Sequence, residues 1–157
     1  MALLDVTAPA SIPLRFVAGV LAGFVATLVM NRAMARLPEG ATPTSIAAGV
    51  LTGQPPGEAP ARLATAVHYL AGTLTGPLFV WLLFAGETVF GGPSAPVTVA
   101  AAGALYALMV AFFAVAVLPQ SRVGGERVGP IRRDWAVSAL VYVLVLAPLV
   151  GVVSRGL

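Results

Sequence analysis

Leu14–Met34 reads LRFVAGVLAGFVATLVMNRAM, an apolar run that ends on Asn31 and Arg32, with Arg36 just beyond it. A helix rises about 1.5 Å per residue, so a run of this length covers the roughly 30 Å of a bilayer's hydrocarbon core. Three similar runs follow, at Leu63–Phe84, Val97–Leu118 and Trp135–Val153. With their flanking residues the spans are 14–36, 62–84, 97–118 and 134–154. The expected fold is all-α, an integral membrane bundle of four transmembrane helices. A short interfacial helix is expected in the first cytoplasmic loop. Residues 1–157 form a single membrane domain, because four spans leave no room for a separate soluble module.

Composition agrees. The chain is 59% hydrophobic and 10% charged, against about 25% charged in a soluble domain. All nine basic residues are arginine. They sit at span ends and in loops and form no stripe on a soluble face, so lipid headgroups account for them and nucleic acid is not an expected partner. The absence of cysteine excludes thiolate catalysis and cysteine-based metal sites. One histidine, His68, is too few for a zinc site. No nucleophile–base set or carboxylate pair is recognisable, so neither a cofactor nor enzymatic activity is expected.

The first span shares features with a cleavable signal peptide, including the small-x-small triplet Ala33-Met34-Ala35. However, Asp5 and a single Arg15 precede it, while Arg32 and Arg36 follow it directly. That is the pattern of a retained span with a cytoplasmic end.

Arginine also sets the expected orientation. Arg32, Arg36 and Arg62 flank the first loop, and Arg122, Arg127, Arg132 and Arg133 lie in the third. The second loop, Ala85–Pro96, holds Glu87 and no arginine, and the terminal segments hold only Arg15 and Arg155. Short arginine-rich loops stay on the cytoplasmic side. The expectation is a multi-pass protein of the cell membrane with both termini extracytoplasmic. Trp81 and Trp135 lie near span ends, where an indole serves equally as an interfacial anchor or as packing.

Leu37–Ala61 is the longest loop. Thr44 and Ser45 can cap a short helix through Ile46–Leu51 that stops at Gly53, ahead of the breaker Gln54-Pro55-Pro56-Gly57. The segment is too short to span, so it lies in the interface, tucks beneath the bundle or re-enters. In Pro119–Arg132, Gly124-Gly125 and Gly129-Pro130 read as a flexible turn without the spacing of a phosphate loop. Arg62 precedes Pro77-Leu78 by the same interval as Arg133 precedes Pro148-Leu149. The residues between barely match, so the pattern does not establish a duplicated hairpin. Pro77 and Pro148 should kink their helices.

Helices in lipid associate where small residues let backbones approach. Gly19, Gly23 and Thr27 form such a row on span one, Gly72 and Gly76 on span two, and Gly103, Ala107 and Ala111 on span three. Phe16, Phe24, Leu28, Phe79, Phe112 and Phe113 are then left for lipid or a partner. Intramolecular packing through Gly19-x-x-x-Gly23 is expected, with homodimerisation the alternative use of the same motif.

Polar residues within a membrane require a partner or a role. Counting from the inner ends, Asn31, His68 and Ser138 lie at a common depth of about 7–9 Å, with Arg32 and Asp134 just below. Either the three hydrogen-bond across helices and hold the bundle in register, or His68 is a titratable switch or ligand contact at the mouth of a cavity, or it faces solvent at the interface.

Gly23-Phe24-Val25-Ala26-Thr27-Leu28-Val29-Met30, followed by His68-Tyr69-Leu70-Ala71-Gly72, resembles small four-helix membrane proteins of prokaryotes. The resemblance covers about the first half of the chain and implies a fold; no activity is established for such proteins. The lack of lysine beside abundant Ala, Arg, Gly and Val points to a GC-rich prokaryotic genome. The functional expectation is a non-enzymatic accessory or scaffold subunit, whose partners are the lipid bilayer and either its own copies or a larger membrane complex. The alternative is a small transporter or oligomeric channel with a polar site near His68.

Overall fold

The computed structural model describes residues 8–156, with side chains from Ser11 to Ser154. Asp5 and the side chain of Arg155 lie outside the described residues. The elements are α1 (Ala8–Met34), α2 (Thr42–Thr52), α3 (Ala61–Phe90), α4 (Ala95–Ala111) and α5 (Gly125–Gly156). α4 runs on through a wide π turn at Phe112–Val117 and a 3-10 turn at Leu118–Gln120. Within the described residues there is no strand. Four helices, starting at Ser11, Ala61, Ala95 and Gly125, are long and apolar enough to cross a membrane. The chain is thus an all-helical, multi-pass bundle.

Helix α1 lies along α3 and α5, and α4 packs against the same two helices from the other side. Between them, Phe79, Leu83, Leu105, Tyr142, Leu146 and Val150 form a buried core. Lipid is as apolar as these side chains, so the core coheres by close contact and not by expelling water.

Two spans are longer than their apolar runs. α3 continues six residues past Phe84 and ends at Gly91, whose φ of 83° suits a residue without Cβ. The second loop therefore shrinks to Gly91–Ser94, and Glu87 belongs to the helix. α5 begins at Gly125, so most of the stretch read as a flexible turn is helical. Pro130 falls in its second turn, where the missing N–H forfeits only the bond to the Glu126 carbonyl.

α2 begins at Thr42, with Pro43 in its first turn, and ends at Gly53 with φ 68°. The Thr44 and Ser45 caps are not used; the Thr44 hydroxyl donates to the Ala41 carbonyl at 2.7 Å. α2 tucks against the end of the bundle, burying Ile46 in a second cluster with Phe113, Leu118 and Ile131.

The small-residue rows divide. Gly23 meets α3 where Pro77 has removed the hydrogen bond to the Thr73 carbonyl. A Cβ on Gly23 would come within 2.8 Å of that oxygen. A Cβ on Gly76 would fall on the Gly19 carbonyl, and one on Gly72 on the Thr27 hydroxyl. That hydroxyl donates to the Gly23 carbonyl at 2.7 Å. In this chain, then, the Gly19-x-x-x-Gly23 motif faces Gly72 and Gly76 of α3. The third row is not a packing face, because a Cβ on Gly103 would meet nothing within 4 Å. α4 turns Val97, Ala101 and Leu105 inward instead. Phe79 and Phe113 are likewise buried in the two cores, leaving Phe24, Leu28 and Phe112 exposed.

Candidate functional site

The antiparallel α1–α3 contact sets Asn31, near the end of α1, beside the first turns of α3. The Asn31 Nδ2 donates to the Tyr69 hydroxyl at 2.7 Å. Its Oδ1 lies 2.8 Å from His68 Nε2. Which of the two donates in this contact depends on the His68 tautomer. The rings of His68 and Tyr69 stand edge to face, with centroids 5.8 Å apart.

His68 and Asn31 thus meet, but Ser138 does not join them. Its hydroxyl donates to the Asp134 carbonyl one turn back in α5, at 2.8 Å. Arg32 is exposed at the end of α1. Asp134 is fully buried and accepts from the Glu39 amide at 2.9 Å, which fastens the first loop to α5. Arg133 pairs with the same carboxylate at 3.0 Å. A single polar layer running through three helices is therefore replaced by two separate ties.

His68 borders two cavities. One, of about 310 Å³, lies among α1, α2 and α3 and is lined by Asn31, Thr44, Thr65 and Tyr69. The other, of about 280 Å³, lies between the ends of α3 and α4 beneath α2. Its wall includes Ala71, Met109, Phe112, Phe113, Trp135 and Tyr142. The wide turn at Phe112–Val117 forms one side, a feature that often accompanies functional sites. Trp135 packs on Phe113 with ring centroids 4.9 Å apart, and its Nε1 donates to the Met109 carbonyl at 3.2 Å. Trp81, by contrast, is 65% exposed.

The opposite end of the bundle is closed by a contact that span counting does not show. Arg15, 7% exposed, donates to Glu87 at 2.8 and 2.5 Å and through Nε to Ser154 at 3.1 Å. Its guanidinium also lies over the Phe84 ring, 4.3 Å from the centroid. Tyr142 is the other overlooked residue: its buried hydroxyl donates to the Gly72 carbonyl at 2.6 Å, joining α5 to α3. A mid-span phenol needs such a partner, and that requirement was the available signal.

Among the described residues, no group of three or more His, Asp or Glu could hold a metal ion. Compared with protein families, curated proteins and solved structures, the chain matches none.

Proposed function

We propose that this chain is a non-enzymatic accessory or scaffold subunit of the cell membrane. The observation that carries this reading is how the interior polar groups are used. Arg15, Glu87 and Ser154 tie three helices together at one end. At the other, Asn31 joins α1 to α3 and Asp134 holds the first loop. These groups fix shape, which favours a rigid partner-binding element. Purification in mild detergent followed by mass determination of the intact assembly tests it. A stoichiometric protein partner, or a defined homo-oligomer, is expected; a monomer alone under all mild conditions overturns the reading.

We place the α2 end in the cytoplasm and both termini outside. Seven exposed arginines (Arg32, Arg36, Arg62, Arg122, Arg127, Arg132 and Arg133) sit at or near that end, in support of this orientation. Reporter fusions after Gly92 and Gly124 should report opposite sides, with Gly124 inside.

A transporter is the second reading, favoured by the two cavities that meet at His68. The ion-paired closure at Arg15 weighs against a continuous path in this conformation. Solute flux in reconstituted vesicles, abolished by substitution at His68, would favour the transporter.

A further inference from the structure

Three hollows lie in a row along the first half of α3, and their linings change from charged to apolar. The first, nearest the end of the bundle, is shallow, about 370 Å³, and lined by Arg62 and Thr65 with Ala61 and Ala66. Thr65 also lines the cavity among α1, α2 and α3, whose wall carries Asn31, Thr44, His68 and Tyr69. Thr44 and His68 in turn line the cleft between α3 and α4, where Ala71, Met109, Phe112 and Phe113 meet Trp135. Each hollow thus shares a wall with the next. Along the axis of α3, Arg62 and Thr75 stand about 20 Å apart, so the row runs from the end of the bundle well into the apolar span.

The polar end supplies donors and no acid. The Arg62 guanidinium is exposed and, among the described residues, has no carboxylate partner. The Thr44 amide lies in the first turn of α2, where a helix has no acceptor for it. No Asp or Glu lines any of the three hollows. A cationic head would be desolvated there without a counter-charge, which is costly, whereas an anionic head meets one. Beyond His68 the cleft offers carbon and ring faces, because Thr75, Tyr142 and Trp135 already donate to backbone carbonyls. Ala71 and Phe112, both exposed, open it to the lipid between α3 and α4. At about 280 Å³ the cleft is small beside the roughly 300–1,000 Å³ of most ligand sites, so it suits one apolar chain and not two.

We infer that these hollows form one lateral site for a single-chain amphiphile with an anionic head. The head sits in the polar cavity against Arg62, and the chain passes between Thr44 and His68 to lie against Phe112, Phe113 and Trp135. Head at the end of the bundle and chain toward mid-span is the direction in which a lipid of the adjoining leaflet already lies. This site is independent of whether the chain has a protein partner.

Trp135 lies at the chain end of the site and reports on it. In a Trp81→Phe background in nanodiscs of zwitterionic lipid, its quenching is titrated with 11-bromoundecyl phosphate, 11-bromoundecanoate and 11-bromoundecyltrimethylammonium, compared at equal membrane-bound concentration. The anions are expected to quench at about tenfold lower concentration than the cation, the range of one hydrogen bond to a charged group. The more effective anion tells a phosphate head from a carboxylate. Arg62→Gln should abolish the preference, whereas Arg122→Gln, which removes another exposed arginine, should leave it intact. Ala71→Phe, at an exposed position, should fill the cleft and abolish saturable quenching by either anion. Equal quenching by anions and cation, equal effects of the two arginine substitutions, or saturable quenching that survives Ala71→Phe overturns the assignment.

Discussion

Arg15 and Glu87, 72 positions apart in the chain, form a two-pronged ion pair that is largely buried between α1 and α3. The third donor of the guanidinium reaches Ser154 on α5. Three helices are therefore pinned at one end by one side chain. A lysine could not reproduce this arrangement, because a point charge lacks the planar fork.

Removing one partner leaves the other charge buried and unpaired, at a cost of roughly 3–5 kcal/mol. Glu87→Gln and Arg15→Gln should each lower thermal stability in detergent sharply. The double substitution should cost clearly less than the sum, as expected for groups in direct contact. Additive effects in that cycle would mean the pair contributes little.

Some of this structure was legible in the chain and some was not. Four apolar runs and the small residues at Gly19, Gly23, Gly72 and Gly76 are local patterns, and local patterns survive reading in one dimension. Which stripe of a lipid-embedded helix turns inward is not local. Both faces are apolar, so Phe79, Phe113 and Gly103 could not be placed without knowing the neighbouring helices. Depth counting brought Asn31 and His68 to one level, but it carries no information about azimuth. Ser138 has the matching depth, yet its hydroxyl is satisfied within its own helix, as serine and threonine hydroxyls often are. In sequence Arg15 and Glu87 read only as charges flanking spans, because apolar-run boundaries stop short of where α3 ends.

The α1–α3 contact yields a sharp contrast among glycines. Gly76→Ala would press a methyl onto the Gly19 carbonyl, and Gly72→Ala would press one onto the Thr27 hydroxyl. Overpacking of this kind typically costs about 1–3 kcal/mol. Gly103→Ala meets open space and should be neutral or stabilising by up to about 1 kcal/mol, through helix propensity. Gly23→Leu should be worse than Leu28→Ala, since Leu28 is 42% exposed. Melting temperatures in a single detergent rank all five; an unaffected Gly76→Ala protein would be incompatible with this packing.

The His68–Asn31 bond separates a structural from a purely ligand-binding role. His68→Gln retains a donor for Asn31 Oδ1 and should keep most of the stability. His68→Leu should lose roughly 1–2 kcal/mol, the upper range for interhelical hydrogen bonds in membranes. A leucine variant as stable as the parent would show that the bond does not hold α1 to α3. Asn31→Leu should match His68→Leu or exceed it, because it also strands the Tyr69 hydroxyl.

Glu39 gives the first loop a pH dependence. Arg127 bonds its carboxylate through Nε and Nη2 at 2.9 and 2.8 Å, and the Thr42 hydroxyl adds a further bond. These contacts, with Arg127 first, hold the Glu39 carboxyl below its usual 4.5. A depressed carboxyl pKa contributes stability in full above the unfolded value and loses it as pH falls through the folded value. The tie is therefore complete at neutral pH and weakens once the pH drops below about 4.5. Half of the Arg127 side chain is exposed, so the contribution is modest and salt-sensitive. Glu39→Gln should melt slightly below the parent at pH 7. That gap should narrow with added salt and close as the pH is taken well below 4.5. A gap that is absent at neutral pH, or that persists unchanged in acid, would mean that the Glu39–Arg127 contact does not fasten the loop to α5.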